Sequence, residues 1–323
     1  MRLAHAALAF LGRHATAFMA GGVLLGLAMP PLAALAKPLL VPTLLIPLAL
    51  ALVRLDWSAI AAWRHRPVVV ALLIAWLLGV SPVLVWLATV ALVHAGFPPP
   101  LQVALVLMAA SSPIVSSVAI ALMVGLDAAL AIVAVLIATA LVPLTLPAMA
   151  EALVGVTLDI GLAAFMLRLA LLVGSAFAVA WVVRRLVPAA TLARNRDLLD
   201  GLTVVNLVLF GLAIMDGVTA FAMARPGYAA AALVAAFASN LALQGLGYAL
   251  FHRLGRRSAL AVALVSGNCN MGLVLVALQG KAAFDVVVFF ALAQIPMYTL
   301  PALMARGYRR LLQGQATDSA PAR

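Results

Sequence analysis

The sequence predicts an all-α integral membrane protein with ten transmembrane helices, arranged as two inverted repeats of five. Three observations lead to this prediction: an apolar composition, ten apolar stretches of spanning length, and punctuating residues that recur at a nearly fixed offset. Of the 323 residues, 67% are apolar and 9% are charged, and the mean hydropathy is +1.22. A soluble protein is nearer half apolar and a quarter charged. The composition therefore excludes a soluble fold, and the solid apolar runs are unlike the alternating strands of a membrane β-barrel.

Ten apolar stretches are long enough to cross a bilayer, which takes roughly 20 mostly apolar residues. Only Lys37 and Pro38 separate the first stretch from the second, so the sequence places the first turn there. The stretches cover about 15–36, 39–54, 67–94, 101–124, 127–148, 158–184, 198–222, 228–251, 258–279 and 282–305. The last 13 residues of the sequence, 311–323, are expected to form a disordered cytoplasmic tail.

Basic residues fix the expected orientation of these spans. With the amino terminus inside, 16 of the 20 Lys and Arg residues fall on the cytoplasmic side and only Lys37, Arg225 and Lys281 fall outside. Arg168 lies near the outer end of the sixth span, where its side chain can reach the interface. The positive-inside rule therefore predicts a multi-pass protein of the inner, cytoplasmic membrane with both termini in the cytoplasm. The net charge of +11 is then explained by topology and anionic lipid, and nucleic-acid binding is not expected.

Punctuating residues recur at an offset of 158 to 160 positions. Asp56 matches Asp216, and Asp127 matches Asp285. The prolines behave in the same way: Pro67 matches Pro226, and Pro143 matches Pro301. The pattern predicts a first repeat at 1–150 and a second at 151–310. Because each repeat has five spans, the two lie in opposite orientations, an arrangement found in many secondary transporters.

A polar cluster interrupts the fourth span of each repeat. The first is the run 111–117, Ser-Ser-Pro-Ile-Val-Ser-Ser, and the second is the run 266–272, Ser-Gly-Asn-Cys-Asn-Met-Gly. Pro113 removes an amide donor, and the glycines of the second run loosen its helix. Broken helices are tolerated at membrane depth only where they line a cavity or are buried in protein. Matching breaks in inverted halves therefore predict a binding site near the middle of the membrane.

The candidate substrate-binding residues come from these clusters and from polar residues of other spans. They are Ser112, Pro113, Ser116, Ser117, Asn206, Ser266, Asn268, Cys269, Asn270 and Gln294. Thr139, Asn240 and Gln244 are further polar residues at membrane depth, and each alone is more often a contact between helices than a ligand contact. Cys269, the single cysteine, has no activating neighbour and is interpreted as a small pocket or packing residue.

Enzymatic function is not predicted. The sequence lacks His-Glu-x-x-His, Cys-x-x-Cys, Gly-x-Ser-x-Gly and phosphate-binding loop motifs, and its five histidines lie near the ends of spans. No pair of carboxylates falls in the middle of a span, which argues against a cation/proton antiporter. No cofactor and no obligate protein partner are expected. The expected partners are a small-molecule organic anion and the lipid bilayer.

Several of these segments together resemble the bile acid:sodium symporter family of ten-span transporters, over nearly the whole chain. The second span closes with Leu-Val-Arg-Leu-Asp-Trp at 52–57, similar to the family's run closed by Asp-Phe. The stretch from Ser112 through Asp127 to Pro147 is similar to its fourth and fifth spans. The run 267–273, Gly-Asn-Cys-Asn-Met-Gly-Leu, resembles its ninth-span Gly-x-Gln-Asn-x-Gly-Leu segment. The chain is thus identified as a divergent, bacterial-type member.

This resemblance implies a panel domain of spans 1, 2, 6 and 7 and a core domain of spans 3–5 and 8–10. It also implies that the unwound fourth and ninth spans cross in the core, and that organic anions move with sodium as core and panel rock. The sodium ligands it carries over are Ser116, Ser117, Thr139 and Asn270. The family's ninth-span Glu and Gln fall on Val265 and Cys269, and its third-span Gln on Leu77.

The predicted function is secondary transport of a small organic anion or metabolite by alternating access, with sodium as the coupling ion. One alternative is a sodium-independent or proton-coupled carrier on the same fold, which the loss of the family Glu and Gln favours. The other is a membrane enzyme or sensor that transports nothing, for which neither an acid–base pair nor a soluble signalling domain is evident.

Overall fold

The computed structural model describes residues 8, 10–12, 14–55, 58, 63–155, 160–278 and 280–318. Within these residues the chain is helical and contains no strand. Seven helical stretches are long and apolar enough to cross a membrane: Pro30–Arg54, Pro67–His94, Ala128–Val154, Leu162–Leu186, Arg196–Ala224, Pro226–Leu254 and Phe284–Pro301. The protein is therefore all-helical, with the several apolar helices of a multi-pass membrane protein.

Fifteen helices are numbered here in chain order. The first half contains α1 (Ala15–Ala28), α2 (Pro30–Arg54), α3 (Pro67–His94), α4 (Pro99–Ala109), α5 (Ser116–Val124) and α6 (Ala128–Val154). The second half contains α7 (Leu162–Leu186), α8 (Ala189–Arg194), α9 (Arg196–Ala213), α10 (Val218–Ala224), α11 (Pro226–Phe251), α12 (Arg256–Gly267), α13 (Met271–Leu278), α14 (Phe284–Leu292) and α15 (Gln294–Asp318).

Three of the ten predicted spans correspond to short or interrupted helices. The first is α1, whose 14 residues rise only about 21 Å. The fourth is split into α4 and α5, and the ninth into α12 and α13. The interruptions occur at the two polar clusters of the sequence, between Ala109 and Ser116 and between Gly267 and Met271.

The predicted turn at Lys37 and Pro38 is wrong. The helix continues through these residues by way of a short 3₁₀ turn at Lys37–Leu39, and the break lies at Met29, which is not helical (φ −127°, ψ 73°). The reason is the pair Pro30–Pro31, because a proline disfavours helical backbone in the residue before it and is well placed at the start of a helix. A single charge such as Lys37 does not end a helix, and its ammonium reaches Asp216 at 2.7 Å.

Helix α15 also extends further than the sequence predicts. It continues to Asp318, so the first eight residues of the predicted disordered tail 311–323 are helical. The run 311–318 contains good helix formers and no proline before Pro321, which explains the continuation. Asp56, a member of the repeat pattern, lies outside the described residues.

The helices pack in two groups, which also contact each other where α6 packs on α7 and α15 packs on α1. In one, α9 packs against both α1 and α2, and α2 packs against α7. In the other, α3 packs against α4 and α6, α11 packs against α12 and α14, α4 packs against α14, and α6 packs against α12. The two interrupted spans belong to the second group. The helix α13 lies between the groups, because it contacts α2 and α7 as well as α4 and α14.

Small residues set the close approach of α1 to α9. A Cβ on Gly22 would lie 2.7 Å from the Val208 carbonyl oxygen, and one on Gly26 would lie 2.8 Å from that of Leu212. Residue numbers rise together along this contact, so α1 and α9 run parallel. Helix α2 runs the opposite way, since its first half reaches Asp216 through Lys37 and its last residue, Arg54, pairs with Asp200. The chain therefore reverses between α1 and α2.

Replacement of Gly22 by leucine is expected to lower the melting temperature of the purified protein in detergent. The new side chain meets backbone, which cannot move aside, and overpacking of this kind typically costs about 1–3 kcal/mol. Gly21→Leu is the matched control, because a Cβ there meets nothing within 4 Å. Equal melting temperatures for the two variants would contradict the close packing of α1 on α9.

Candidate functional site

The two interrupted spans meet at their breaks. The Ile114 amide donates to the Asn268 carbonyl at 2.8 Å, and the Asn270 amide donates to the Ser112 carbonyl, also at 2.8 Å. These bonds flank Pro113 and Cys269, which form an isolated antiparallel bridge. In this arrangement the central pair does not exchange hydrogen bonds, so the missing amide hydrogen of Pro113 costs nothing. The breaks therefore form one crossing, made by residues 110–115 and 268–270.

Local sequence explains the first break. Helix α4 cannot continue through Pro113, because proline lacks the amide and clashes with the preceding turn. The residue before proline also avoids helical backbone, which frees the Ser112 carbonyl for Asn270. Ser111 is buried and donates its hydroxyl back to the Met108 carbonyl at 2.7 Å, closing the end of α4.

The two asparagines of the second break each stabilise a helix end. The Asn268 side-chain amide donates to the Leu264 carbonyl at 2.8 Å, at the end of α12. The Asn270 side-chain oxygen accepts from the Leu273 amide at 3.3 Å, which is the pattern of a helix N-cap for α13. Cys269 is buried, and its thiol lies 3.6 Å from the Ser266 carbonyl oxygen. Its small side chain fills the crossing, in accord with its interpretation as a packing residue.

Among the described residues, five buried side-chain oxygens have no hydrogen-bond partner. They are Ser112 Oγ, Ser117 Oγ, Thr139 Oγ1, Asn268 Oδ1 and Gln294 Oε1. Their residues are at most 1% exposed, and Ser112 and Asn268 belong to the crossing itself. One buried nitrogen, Arg168 Nη1 on α7, also has no partner. Buried polar atoms are almost always satisfied, so the orphaned oxygens of the crossing indicate that another molecule or ion completes them.

Thr139 has two oxygen atoms that are suited to bind a cation, its side-chain hydroxyl and its main-chain carbonyl. It lies on α6, which packs against α5, the helix that carries Ser117 in its first turn. Pro143, four residues later, has no amide hydrogen to donate to the Thr139 carbonyl. The main-chain oxygen has thus lost its helical donor, and the side-chain oxygen is also unpartnered. A hard cation that prefers oxygen ligands would suit such a residue.

The four sodium ligands carried over from the family are not equivalent in the structure. Ser117 and Thr139 carry orphaned hydroxyls, and α5 and α6, which hold them, are packed together. Ser116 is only half-buried, and the Asn270 oxygen is occupied as the cap of α13. In the described part of the chain no three His, Cys, Asp or Glu residues cluster as metal ligands. Any cation here would be held by neutral oxygens, which suits a singly charged ion better than a transition metal.

Two predicted site residues lie away from the crossing. Asn206 is on α9 and donates its side-chain amide to its own helix, at the Leu202 carbonyl. It is one turn before Phe210, whose ring contacts Gly272 at the start of α13. Gln294 begins α15, donates to the Phe290 carbonyl at 3.0 Å and keeps its oxygen free. Ser266 accepts from Trp76 at 2.8 Å, so its hydroxyl is used within the protein.

Sequence reasoning missed Trp76 and Tyr308. Both are buried, and both direct a polar atom toward the second break. Tyr308 lies beyond the apolar stretch that ends at Pro301, where nothing in its neighbourhood distinguishes it from an interfacial aromatic residue. One sequence pattern does indicate a buried polar contact here: the i, i+4 spacing of Asn240 and Gln244 puts two side-chain amides on one face of α11, and both must find hydrogen-bond partners.

The two half-helices that leave the crossing differ in exposure. All eight residues of α13 are buried, the most exposed being Leu275 at 9%. In α5, by contrast, Leu122 is 57% exposed and Met123 is 72% exposed. Gly272 makes the closest contact of α13 with the first helix group: a Cβ there would lie 2.6 Å from Phe210 Cζ and 2.9 Å from Leu44 Cδ1. Helix α13 is therefore sealed between the helix groups, whereas the last turn of α5 presents apolar side chains on the outer surface of the bundle.

Comparison with known proteins adds no family assignment: no model of a protein family matches the chain, and a search of curated proteins found no match.

Proposed function

We propose that the protein is a secondary transporter that binds a small organic anion at the crossing of the two broken spans and moves it by alternating access. The observation that carries this proposal is the hydrogen-bonded crossing at Pro113 and Cys269, which holds orphaned, buried oxygens. Irregular backbone inside a membrane is stable only where it lines a site or is covered by protein. A crossing that leaves the buried side-chain oxygens of Ser112 and Asn268 without partners is suited to binding a ligand.

The architecture proposed is ten spans in two inverted repeats. Seven long helices, together with α1 and the two interrupted spans, give this number. The packing supports the repeat, because exchanging the halves exchanges observed contacts. Helix α3 packs on α4 as α11 packs on α12, and α4 packs on α14 as α6 packs on α12. The separate group of α1, α2, α7 and α9 corresponds to the panel domain that the resemblance to the bile acid:sodium symporter family implies.

The proposed substrate class is an anion, and a carboxylate in particular. Helices α5 and α13 begin at the crossing, so their amide-rich, positive ends face this region. The described residues of the crossing, 110–115 and 268–270, include no acidic side chain that would repel an anion. Ser112 and Asn268 are the side chains best placed to donate to it: the Ser112 hydroxyl has no other partner, and the Asn268 side-chain nitrogen has a second N–H besides the one given to Leu264.

Sodium is the proposed coupling ion, held by Ser117 and Thr139 with main-chain oxygens. The competing proposal is a carrier on the same fold that needs no sodium. It is favoured by Val265, Cys269 and Leu77, which stand at the family's Glu and Gln positions and are all buried. A carboxylate lost from a cation site removes both a charge and two oxygen ligands.

We propose that the conformation described is closed on the outer side of the membrane, because α13 is covered by protein along its whole length. The sealed half-helix α13 runs toward the side of Lys281 and Arg225, and the exposed half-helix α5 runs toward the side of Arg64 and Arg257. The positive-inside rule puts the second side in the cytoplasm, with both termini, in an inner membrane. Transport would require the seal at Gly272 to open.

Thermal unfolding of the purified protein tests both the proposed substrate class and the proposed coupling to sodium. A ligand that binds only the folded state raises the melting temperature by mass action. Pyruvate, succinate and cholate are each added in sodium chloride and in choline chloride. We expect at least one carboxylate to raise the melting temperature, and to raise it more in sodium. A rise that is equal in choline would favour the sodium-independent carrier, and no rise with any carboxylate would contradict the anion site.

A further inference from the structure

A continuous chain of buried side-chain hydrogen bonds connects helix α15 to the second break. The Tyr308 hydroxyl donates to Gln244 Oε1, Gln244 Nε2 donates to Asn240 Oδ1 at 2.6 Å, and Asn240 Nδ2 donates to the Gly267 carbonyl at 2.7 Å. The three side chains are 3–4% exposed. The chain thus joins three helices, α15, α11 and α12, and ends on the last residue of α12.

Each bond of this chain has only one possible direction. The Gly267 carbonyl only accepts, so Asn240 must present its amide nitrogen to it and its oxygen to Gln244. Gln244 must then present its nitrogen to Asn240 and its oxygen to Tyr308, which has to donate. Side-chain amides of this kind do not pass protons along, so the chain is suited to fixing a geometry rather than to conducting protons.

The end point of the chain is a main-chain group that the helix break leaves unsatisfied. In a continuous helix the Gly267 carbonyl would accept from the amide of residue 271. Here the Met271 amide donates to the Cys269 carbonyl instead, at 3.0 Å. Asn240 supplies the missing donor. The approach also requires glycine, because a Cβ on Gly267 would lie 2.5 Å from Gln244 Cγ and 2.7 Å from the Asn240 carbonyl oxygen.

A second contact holds the same helix end from the other half of the chain. Trp76, at the start of the π-helical turn Trp76–Val80 in α3, donates its ring nitrogen to Ser266 Oγ at 2.8 Å. Ser266 in turn donates to the Val262 carbonyl at 2.7 Å. The two last residues of α12, Ser266 and Gly267, are therefore held from two sides, and the next residue is Asn268, whose oxygen is free.

We propose that Trp76, Asn240, Gln244 and Tyr308 are positioning residues that set the geometry of the Asn268 region for ligand binding at the crossing. The proposal rests on the proposed transport function, and it assigns these residues a role without any contact with the ligand. Loss of one donor frees the Gly267 peptide to rotate, which turns Asn268 away from its binding orientation. Ligand affinity should then fall although the protein remains folded.

The test uses Tyr308→Phe and Trp76→Phe, which remove the donor and keep an aromatic ring. Each purified variant is compared with wild type for saturable uptake of taurocholate, pyruvate and succinate into proteoliposomes and for the ligand-induced rise in melting temperature. Thr299→Val is the matched control, because its hydroxyl only donates to the Ile295 carbonyl of its own helix. We expect at least a tenfold rise in the half-saturating concentration for both phenylalanine variants, a maximal rate within twofold of wild type, and a wild-type value for the control.

A double variant distinguishes positioning from general destabilisation. Gln244→Met removes both of the bonds that Gln244 makes, so Tyr308→Phe/Gln244→Met should have the same half-saturating concentration as Gln244→Met alone, whereas independent effects would multiply. Wild-type affinity in both phenylalanine variants, or an affinity loss that follows the basal melting temperature in every variant including the control, would overturn the proposal. Absence of uptake by the wild-type protein would instead contradict the transport function itself.

Discussion

Replacement of Asn270 by leucine is expected to remove most of the transport activity while the protein remains folded in the membrane. Leucine keeps the main-chain amide that donates to Ser112, so the crossing itself persists. It removes the side-chain oxygen that caps α13, a change that typically costs about 0.5–2 kcal/mol. It also places an apolar side chain beside the proposed anion site. A hydrogen bond to a charged ligand contributes about 1.5–3 kcal/mol, so uptake should fall about tenfold to hundredfold.

The control for Asn270→Leu is Thr145→Val, which removes a hydroxyl from the same membrane region. Thr145 is exposed on α6 and donates only to the Leu141 carbonyl of its own helix. Uptake of radiolabelled carboxylate and the elution profile in detergent are measured for both variants. A folded Asn270→Leu protein with wild-type uptake would remove Asn270 from the site.

The second large effect is expected for Gly272→Ala. Gly272 lies in the first turn of α13, where a Cβ would come within 2.6 Å of Phe210 Cζ and 2.9 Å of Leu44 Cδ1. The added methyl group acts as a wedge between α13 and the helices α2 and α9, so the sealed state is disfavoured. Because alternating access requires both states, we expect uptake to fall at least tenfold, which corresponds to about 1.4 kcal/mol.

Shape complementarity predicts a rescue of this variant. Gly272→Ala combined with Phe210→Ala removes the ring that the methyl group meets, so uptake should recover to within a few-fold of Phe210→Ala alone. Gly245→Ala is the matched control, since a Cβ there meets nothing within 4 Å and alanine suits a helix interior. Loss of uptake in Gly245→Ala equal to that in Gly272→Ala, or no rescue by Phe210→Ala, would contradict the proposed seal.

The sequence predicted the all-helical class and the positions of both helix breaks, because the causes of these features are local. Pro113 has no amide, and clustered serine, glycine and asparagine are out of place in a simple apolar span. Met29 shows how local reasoning fails when two signals compete. The charge and proline at 37–38 predict a turn, but the Pro30–Pro31 pair acts more strongly on the backbone than a surface cation does.

Features that depend on distant residues were not predictable from one sequence. The asparagines at 268 and 270 were expected to contact substrate, and only the structure shows that each also ends or begins a helix. Two bonds in the chain from Tyr308 to Gly267 join residues 64 and 27 positions apart, through side-chain directions that no periodicity specifies. The exposure difference between α5 and α13 is likewise a property of how helix groups pack, since both helices are equally apolar in sequence.

The most direct test of transport through the crossing is carboxylate uptake by purified protein in proteoliposomes. Wild type and Asn270→Leu are reconstituted in equal amounts, and uptake of pyruvate, succinate and cholate is followed with an inward sodium gradient and with choline in its place. The account predicts saturable uptake of at least one carboxylate by wild type, accelerated by the sodium gradient and lost in Asn270→Leu. Uptake that is absent for all three carboxylates, or identical in the two proteins, would contradict it.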